Sequence, residues 1–310
     1  MTLQQLEYLV ALDKHRNFVK AAESCYVTQP TLTMQLKKLE EEYGFQLFNR
    51  SEKPLRPTEN GLIFIEKARE ILSRVEELKG FMKTNTEDIN GEFTMGIIPT
   101  LAPYILPRFL PYFIEAFPES KLFIQELQSE QIIEKLKSNQ LDLAIIVTPL
   151  HEYALREIPL CNETFLVYLP ENCPLIHHHE LVDADLEAYE LLLLEEGHCF
   201  RDQALNICKS IPRDSNRFIY QSGSIETLKS LVDKGLGYTL IPELSITTHD
   251  DSRRIKRFRE PEPSREISLV VNKAFHRERL LDNIRKVLHD HLPEAMVKNR
   301  PRVRINWRTK

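Results

Sequence analysis

Residues 21–50 read AAESCYVTQPTLTMQLKKLEEEYGFQLFNR, and the fold turns on where this stretch breaks. Leu32, Leu36 and Leu39 recur at helical spacing and predict a helix with one buried face. Thr28 is placed to act as its N-cap, and Pro30 falls in the first turn, where a missing N–H costs nothing. Just upstream, Phe18, Ala21, Ala22 and Cys25 share a second apolar face, and the small pair Ala21-Ala22 suits a close crossing of two helices. Leu3, Leu6, Leu9 and Val10 supply a third face. A short helix, a tight turn and a second helix opening on polar residues form the helix-turn-helix pattern.

Gln29, Thr31, Thr33, Gln35 and Lys37 stay clear of the leucine stripe. Amides and hydroxyls hydrogen-bond base edges in a major groove, and lysine attracts phosphate. A small helical bundle with an ordinary polar face would show the same pattern. The following residues 48–61, FNRSEKPLRPTENG, have the composition of a β-hairpin wing, with Arg50, Lys53 and Arg56 near a nucleic-acid backbone. Here the chain resembles the LysR-type transcriptional regulators, through residues 21–50 followed by RPTENG at the expected distance from the amino terminus. Met34 departs from the more polar residue often found at its position.

That resemblance implies an α+β multidomain protein. A winged helix-turn-helix (residues 1–60) precedes a linker helix and hinge (61–90). An α/β regulatory domain like a periplasmic binding protein follows (91–300), its subdomains near 91–162 with 267–300 and near 163–266. A basic tail occupies 301–310. The implied partners are promoter DNA, contacted by Gln29, Pro30, Thr31, Thr33, Gln35, Lys37, Arg50, Lys53 and Arg56, and RNA polymerase.

Residues 58–85, TENGLIFIEKAREILSRVEELKGFMKTN, carry Ile65, Ala68, Leu72, Val75 and Met82 at 3-4 spacing, broken by Lys79, with Ile71 and Leu78 beside the seam. Such a stripe needs a partner. A coiled-coil dimer would set two recognition helices on one face of DNA, whereas packing on its own domain would use the stripe locally. The family resemblance adds a dimer of dimers.

With 310 residues, 42% hydrophobic and 28% charged, the chain has an ordinary globular composition and room for two or three domains. The net charge of −5 does not advertise a nucleic-acid binder, yet averages hide patches. No basic segment followed by an apolar run opens the sequence, and runs such as LDLAIIV (141–147) are too short to span a bilayer, so a cytoplasmic location is expected. There Cys25, Cys161, Cys173, Cys199 and Cys208 should be reduced at rest. The last thirteen residues, KNRPRVRINWRTK, carry six Lys or Arg and no acid. They read as a solvated tail, or as an arm for phosphates or another subunit.

Beyond residue 91, β-rich and helical stretches alternate, which argues for α/β sheets. FTMGII, LDLAII, FLVYL, LLLL (191–194), RFIY (217–220), YTLIP and ISLVV are the β-rich ones, with helices near 129–138, 224–235 and 277–291. No Gly-rich phosphate loop, HExxH or GxSxG occurs, and no cofactor is expected. His177, His178 and His179 lack an acid or cysteine at ligand spacing and read as a polar loop, not a metal site.

The remaining motif is EEGHCFRDQALNIC, residues 195–208. If the segment after Cys199 is helical, nine residues separate its sulfur from that of Cys208 by about 13.5 Å along the axis. A disulfide needs Cα atoms within about 7 Å. Either the thiols never pair, or pairing them tears local structure apart. Gly197 offers a break before Cys199, which places this residue at a helix entrance, where a thiolate is favoured. Arg201 can add cationic stabilisation and His198 a hydrogen bond, while Asp202 is suited to the first-turn N–H groups or a water.

GHCFRDQAL followed by Cys208 looks like the redox segment of the OxyR-type peroxide sensors, a branch of the LysR-type family. The resemblance implies a hydrogen-peroxide-sensing regulator, mainly an activator of oxidative-stress genes. In it Cys199 is peroxidatic and Cys208 resolving, and the pair forms a reversible intramolecular disulfide. Thr100 helps to bind peroxide beside His198, Arg201 and Asp202, and a thiol reductant such as glutaredoxin or thioredoxin resets the switch. Two other readings remain open: a LysR-type regulator responding to a small organic effector, and a thiol peroxidase, for which a DNA-reading domain is superfluous.

Overall fold

In the computed structural model, the described residues are 1–50, 54–82, 91–208, 223–293, 296 and 302–308. The chain divides into two compact units, Met1–Thr86 with Ala274–His276, and Glu87–Lys273 with Arg277–Lys310.

In the first unit, Thr2 caps α1 (Leu3–His15) through a capping box with Gln5, and Asn17 caps α2 (Phe18–Ser24) by accepting from two backbone N–H groups. Helix α3 (Gln29–Tyr43) begins at Thr28 and stops at Gly44, whose φ of 75° is the left-handed cap that a side chain would resist. Leu6, Leu9, Leu12, Ala21, Ala22, Leu32, Leu36 and Leu39 interlock in one core. The wing is a minimal antiparallel pair, β1 (Phe48–Asn49) with β2 (Arg56–Pro57). Helix α4 (Glu59–Met82) follows at once.

This helix changes the expected dimer seam. Ile65 and Ala68 are buried in the unit's own core, and Leu72 packs against it. Among the described side chains of α4, the large hydrophobics left exposed are Leu62, Ile63, Ile71 and Leu78. A helix has only one face to give to its own domain, and these four lie off that face, so the expected stripe is not free as a whole for a second helix. The side chains of Lys79 and Met82 lie outside the described residues.

The second unit contains β3 (Gly91–Ile97), α5 (Ala102–Ala116), β4 (Ser120–Glu126), α6 (Ser129–Lys137), β5 (Leu143–Thr148), β6 (Leu155–Tyr168), β7 (Glu180–Leu181), α7 (Cys199–Ile207), α8 (Ile225–Asp233), β8 (Thr239–Pro242), β9 (Ile255–Phe258), β10 (Glu262–Asn272), α9 (Glu278–His291) and β11 (Arg302–Arg304). The strand order is β4-β3-β5-β10-β6-β9-β7, with β8 on β6 and β11 on β10. Strands β3, β4 and β5 are parallel, as their helical crossovers require. The long antiparallel pair β6–β10 links this half to the half holding β7, β8 and β9. It is a mixed α/β architecture.

Two expectations change, and a third falls outside the described residues. Leu191–Leu194 forms no strand; it contributes a single bridge, Leu191 to Tyr238, with Leu191, Leu192 and Leu194 buried and Leu193 half-buried. The RFIY segment lies outside the described residues. The basic tail is neither solvated nor an arm over residues 302–308: β11 adds in parallel to β10, pairing Arg302 with Glu262 and Arg304 with Ser264. Its arginines are neutralised by this unit's own acids, Arg304 by Glu266 and Arg308 by Glu130 and Glu152.

Candidate functional site

Helix α7 is intact from Cys199 to Ile207, and both Cys199 and Cys208 are buried free thiols. At 1.5 Å per residue the nine-residue helix holds them about 13.5 Å apart along its axis. Gly197 supplies the entry turn. Its φ is 91°, a left-handed conformation that favours glycine, and the end of the Gln128 side chain lies where a Cβ would project.

The Cys199 end is built from distant strands and helices. Arg265, fully buried on β10, donates to Glu163 Oε2 at 2.7 Å, to Thr100 Oγ1 at 3.0 Å and to the Thr100 carbonyl at 3.2 Å. Glu163 also accepts from the Leu244 N–H at 3.0 Å. The guanidinium lies 5.0 Å from the centre of the Phe200 ring, the residue after Cys199. Ser129, first residue of α6, is buried on the same side and favours the Cys199 anion.

Burial pushes the Cys199 thiol above its ordinary value; Arg265, Ser129 and the Phe200 N–H pull it back, and Asp202 adds to the rise. The resting side chain is therefore a thiol poised over a cation rather than a standing thiolate. Burial also raises the Asp202 carboxyl, with Arg201 opposing.

Of the residues singled out from sequence, Thr100 joins the cluster through Arg265, and His198 is the N-cap residue immediately before Cys199. The buried His198 ring packs so closely on Gly223 that a Cβ there would lie 2.7 Å away, and its Nε2 is 3.5 Å from Glu195 Oε1. Arg201 is directed elsewhere, donating to the Leu194 carbonyl at 2.8 Å. The cation that favours the Cys199 thiolate is Arg265, which sequence reasoning missed, as it missed Ser129 and Glu163. The available signal was a lone arginine inside the strand-forming run EPSREISLVV, where a buried charge must find a partner.

The Cys208 end differs. The Tyr238 hydroxyl donates to the Cys208 sulfur at 3.7 Å, and burial pushes this thiol up to about 11. A cavity of about 590 Å³ is lined by His198, Gln128, Gln131, Tyr104, Glu195 and Glu226 among others. Its wall therefore reaches the residue preceding Cys199. His177, His178 and His179 lie exposed, and the described residues hold no metal-binding group of acids, histidines and cysteines.

On α3, Gln29, Pro30 and Lys37 are exposed, as is Met34, and Tyr26 in the preceding turn is almost fully so. Thr31 is hydrogen-bonded to Thr28 at 2.8 Å, and Gln35 accepts from Gln5 at 3.2 Å. Thr33 is half-buried. In the wing, Arg50 pairs with Glu40 at 2.6 Å, Arg56 is exposed and Lys53 lies outside the described residues. The exposed surface over the helix-turn-helix thus centres on Tyr26, Gln29, Pro30, Met34 and Lys37. Tyr26 and Met34 were not among the expected contacts.

Comparison with known proteins agrees with both units. Residues 3–62 match the family described as bacterial regulatory helix-turn-helix protein, lysR family, and residues 86–293 match the LysR substrate binding domain. A Haemophilus influenzae protein named hydrogen peroxide-inducible genes activator is 37% identical over 272 residues, 87% of this chain and 90% of its own. The Escherichia coli K12 DNA-binding transcriptional dual regulator OxyR is 34% identical over 302 residues, 96% and 99% of the two chains. The solved full-length Pseudomonas aeruginosa OxyR C199D aligns with a TM-score of 0.81 at 30% identity, covering 93% of this chain and 94% of that one. The chain belongs to the LysR family of bacterial helix-turn-helix regulators, in its OxyR-type group.

Proposed function

We propose that this protein is a hydrogen-peroxide-sensing, DNA-binding transcriptional regulator, mainly an activator, switched by a reversible disulfide between Cys199 and Cys208. The observation that carries the reading is the pair of free thiols at opposite ends of an unbroken α7, one of them beside Phe200, whose ring lies 5.0 Å from the buried Arg265 guanidinium. Deprotonated beside Arg265 and Ser129, the Cys199 sulfur attacks one peroxide oxygen. The O–O bond breaks, the sulfur becomes a sulfenic acid, and the other oxygen takes up a proton and leaves as water. Thr100 and His198 line the approach, with Arg201 and Asp202 in the first turn of α7. The Cys208 thiolate then attacks the Cys199 sulfur, forming the S–S bond and releasing the second oxygen as water.

The disulfide cannot close across a straight nine-residue helix. Closing it unwinds α7, withdraws Phe200 and Ala204 from the core, and reshapes the regulatory unit. A two-state element moves from 1:99 to 99:1 with about 5.5 kcal/mol, equivalent to about 120 mV for a two-electron couple. A thiol reductant of the glutaredoxin or thioredoxin type in the cytoplasm would reset it. The reading includes a dimer of dimers through α4 and the regulatory unit, two helix-turn-helix units on promoter DNA, and RNA polymerase as the downstream partner.

The test is mass spectrometry of the peroxide-treated protein paired with DNA footprints of both redox forms. Loss of two thiols as a Cys199–Cys208 crosslink, together with an altered footprint, is the expected result. Intact thiols with a footprint altered only by small organic molecules would instead assign the cavity beside His198 to an effector.

A further inference from the structure

We propose that the 302–308 segment is a clasp on α7, and that Gln203, Asn206 and Arg308 are positioning residues which set how readily Cys199 and Cys208 can be joined. The inference rests on the disulfide reading above. Its basis is a set of hydrogen bonds that exist only while α7 is helical.

Gln203, fully buried one turn beyond Cys199, donates its amide to the Ile305 carbonyl at 2.6 Å. Asn206, on the last turn, donates to the Asn306 carbonyl at 2.9 Å. The two carbonyls are held from the other side. Strand β11 is registered on β10, and the Ile305 N–H donates to the Ser264 carbonyl at 2.8 Å. Beyond them Arg308 is anchored four ways, on Glu130 through Nε at 3.1 Å and also through Nη2, on the Leu150 carbonyl at 2.8 Å and on Glu152 at 2.9 Å. Glu130 follows Ser129, a residue that favours the Cys199 anion. One segment therefore fastens the helix that carries Cys199 and the start of the helix that supports its sulfur.

The geometry separates two chemical steps. Attack of Cys199 on peroxide changes one sulfur and leaves α7 in place, so the clasp does not oppose it. Closure of the disulfide requires residues 200–207 to leave helical geometry. Gln203 and Asn206 then move off carbonyls that stay fixed on β10. Each bond must break before the two sulfurs meet, so the segment slows the second step and not the first. Spacing matters as well: Gln203 and Asn206 are three residues apart and share one helix face, and Ile305 and Asn306 are consecutive. Unwinding by a single turn suffices to lose the match.

The experiment compares Asn206→Ala and Arg308→Ala with the unaltered full chain. Asn206 is exposed and Arg308 half-buried, and far-ultraviolet circular dichroism checks that each variant keeps its fold. Sulfenic acid at Cys199 is trapped with dimedone, while the Cys199–Cys208 crosslink is followed by quenched-flow mass spectrometry. The expected result is an unchanged sulfenylation rate with crosslink formation faster by about two- to tenfold in Asn206→Ala, the factor for losing one hydrogen bond, and by at least as much in Arg308→Ala, which loses its anchors on Glu130, Glu152 and the Leu150 carbonyl. Equal crosslinking rates in all three proteins would overturn the clasp while the disulfide reading stands. No crosslink in the unaltered chain would overturn both.

Discussion

The two ends of α7 present the same side chain to unlike surroundings. Cys199 meets a buried arginine, a serine hydroxyl and its neighbour's backbone N–H, all of which favour its anion. Cys208 meets one tyrosine hydroxyl inside apolar packing, and its thiol stays protonated up to about 11. Burial alone would make both sulfurs inert. The difference is that a charge brought from a remote strand opposes the effect of burial at one end, whereas a single hydroxyl does so at the other.

The strongest way to break this comparison is to exchange each sulfur in turn. Cys199→Ser should abolish both sulfenic acid formation and the transcriptional response to peroxide, while DNA binding persists. Cys208→Ser should still trap dimedone at Cys199 but form no internal crosslink. Equal loss of sulfenylation in the two variants would make the ends equivalent.

Next in size is the arginine itself. Arg265→Met leaves Glu163 buried without its partner, and urea unfolding should register a loss of about 3–5 kcal/mol. Adding Glu163→Leu should recover part of the stability and none of the peroxide reactivity. Recovery of both would remove Arg265 from the chemistry.

A third test uses pH. The unfolded chain releases the Cys208 proton near 9.0, and the folded one holds it to about 11. Between those values the folded state binds more protons, so this thiol's contribution to stability is complete below pH 9 and lost as pH rises to 11. The decline amounts to about 2–3 kcal/mol and should vanish from unfolding curves of Cys208→Ala. Cys199 oxidation should instead accelerate with rising pH, because its thiol is also raised and only the thiolate attacks.

The smallest effect belongs to Tyr238→Phe, which removes one hydrogen bond to Cys208 and should cost about 0.5–1.5 kcal/mol. It should alter the crosslinking rate without touching sulfenylation. A change in the sulfenylation rate would couple the two ends in a way that their separation does not provide.

Local sequence displayed the helix-turn-helix because its determinants are contiguous. The caps at Thr2 and Asn17, the leucines of α3 and the stop at Gly44 all act within a few residues of the helix they define. Periodicity was less informative in α4, since an apolar stripe does not state whose core it enters; Ile65 and Ala68 enter their own. Charge count misread the 302–308 segment for a similar reason. Arginines read as solvated or phosphate-seeking until Glu130, Glu152 and Glu266 are seen to face them.

The sequence alone determined that two cysteines lie nine residues apart, too far to pair across any helix between them, and that a DNA-reading pattern precedes them. Tertiary structure decided which cation serves Cys199, since Thr100, Ser129, Glu163 and Arg265 are scattered over some 165 positions and meet only where β6, β10, α5 and α6 converge. It also decided what holds α7 shut. Hydrophobic spacing is written locally along a chain, whereas the partner of a buried charge or a side-chain amide is chosen by which strands lie side by side.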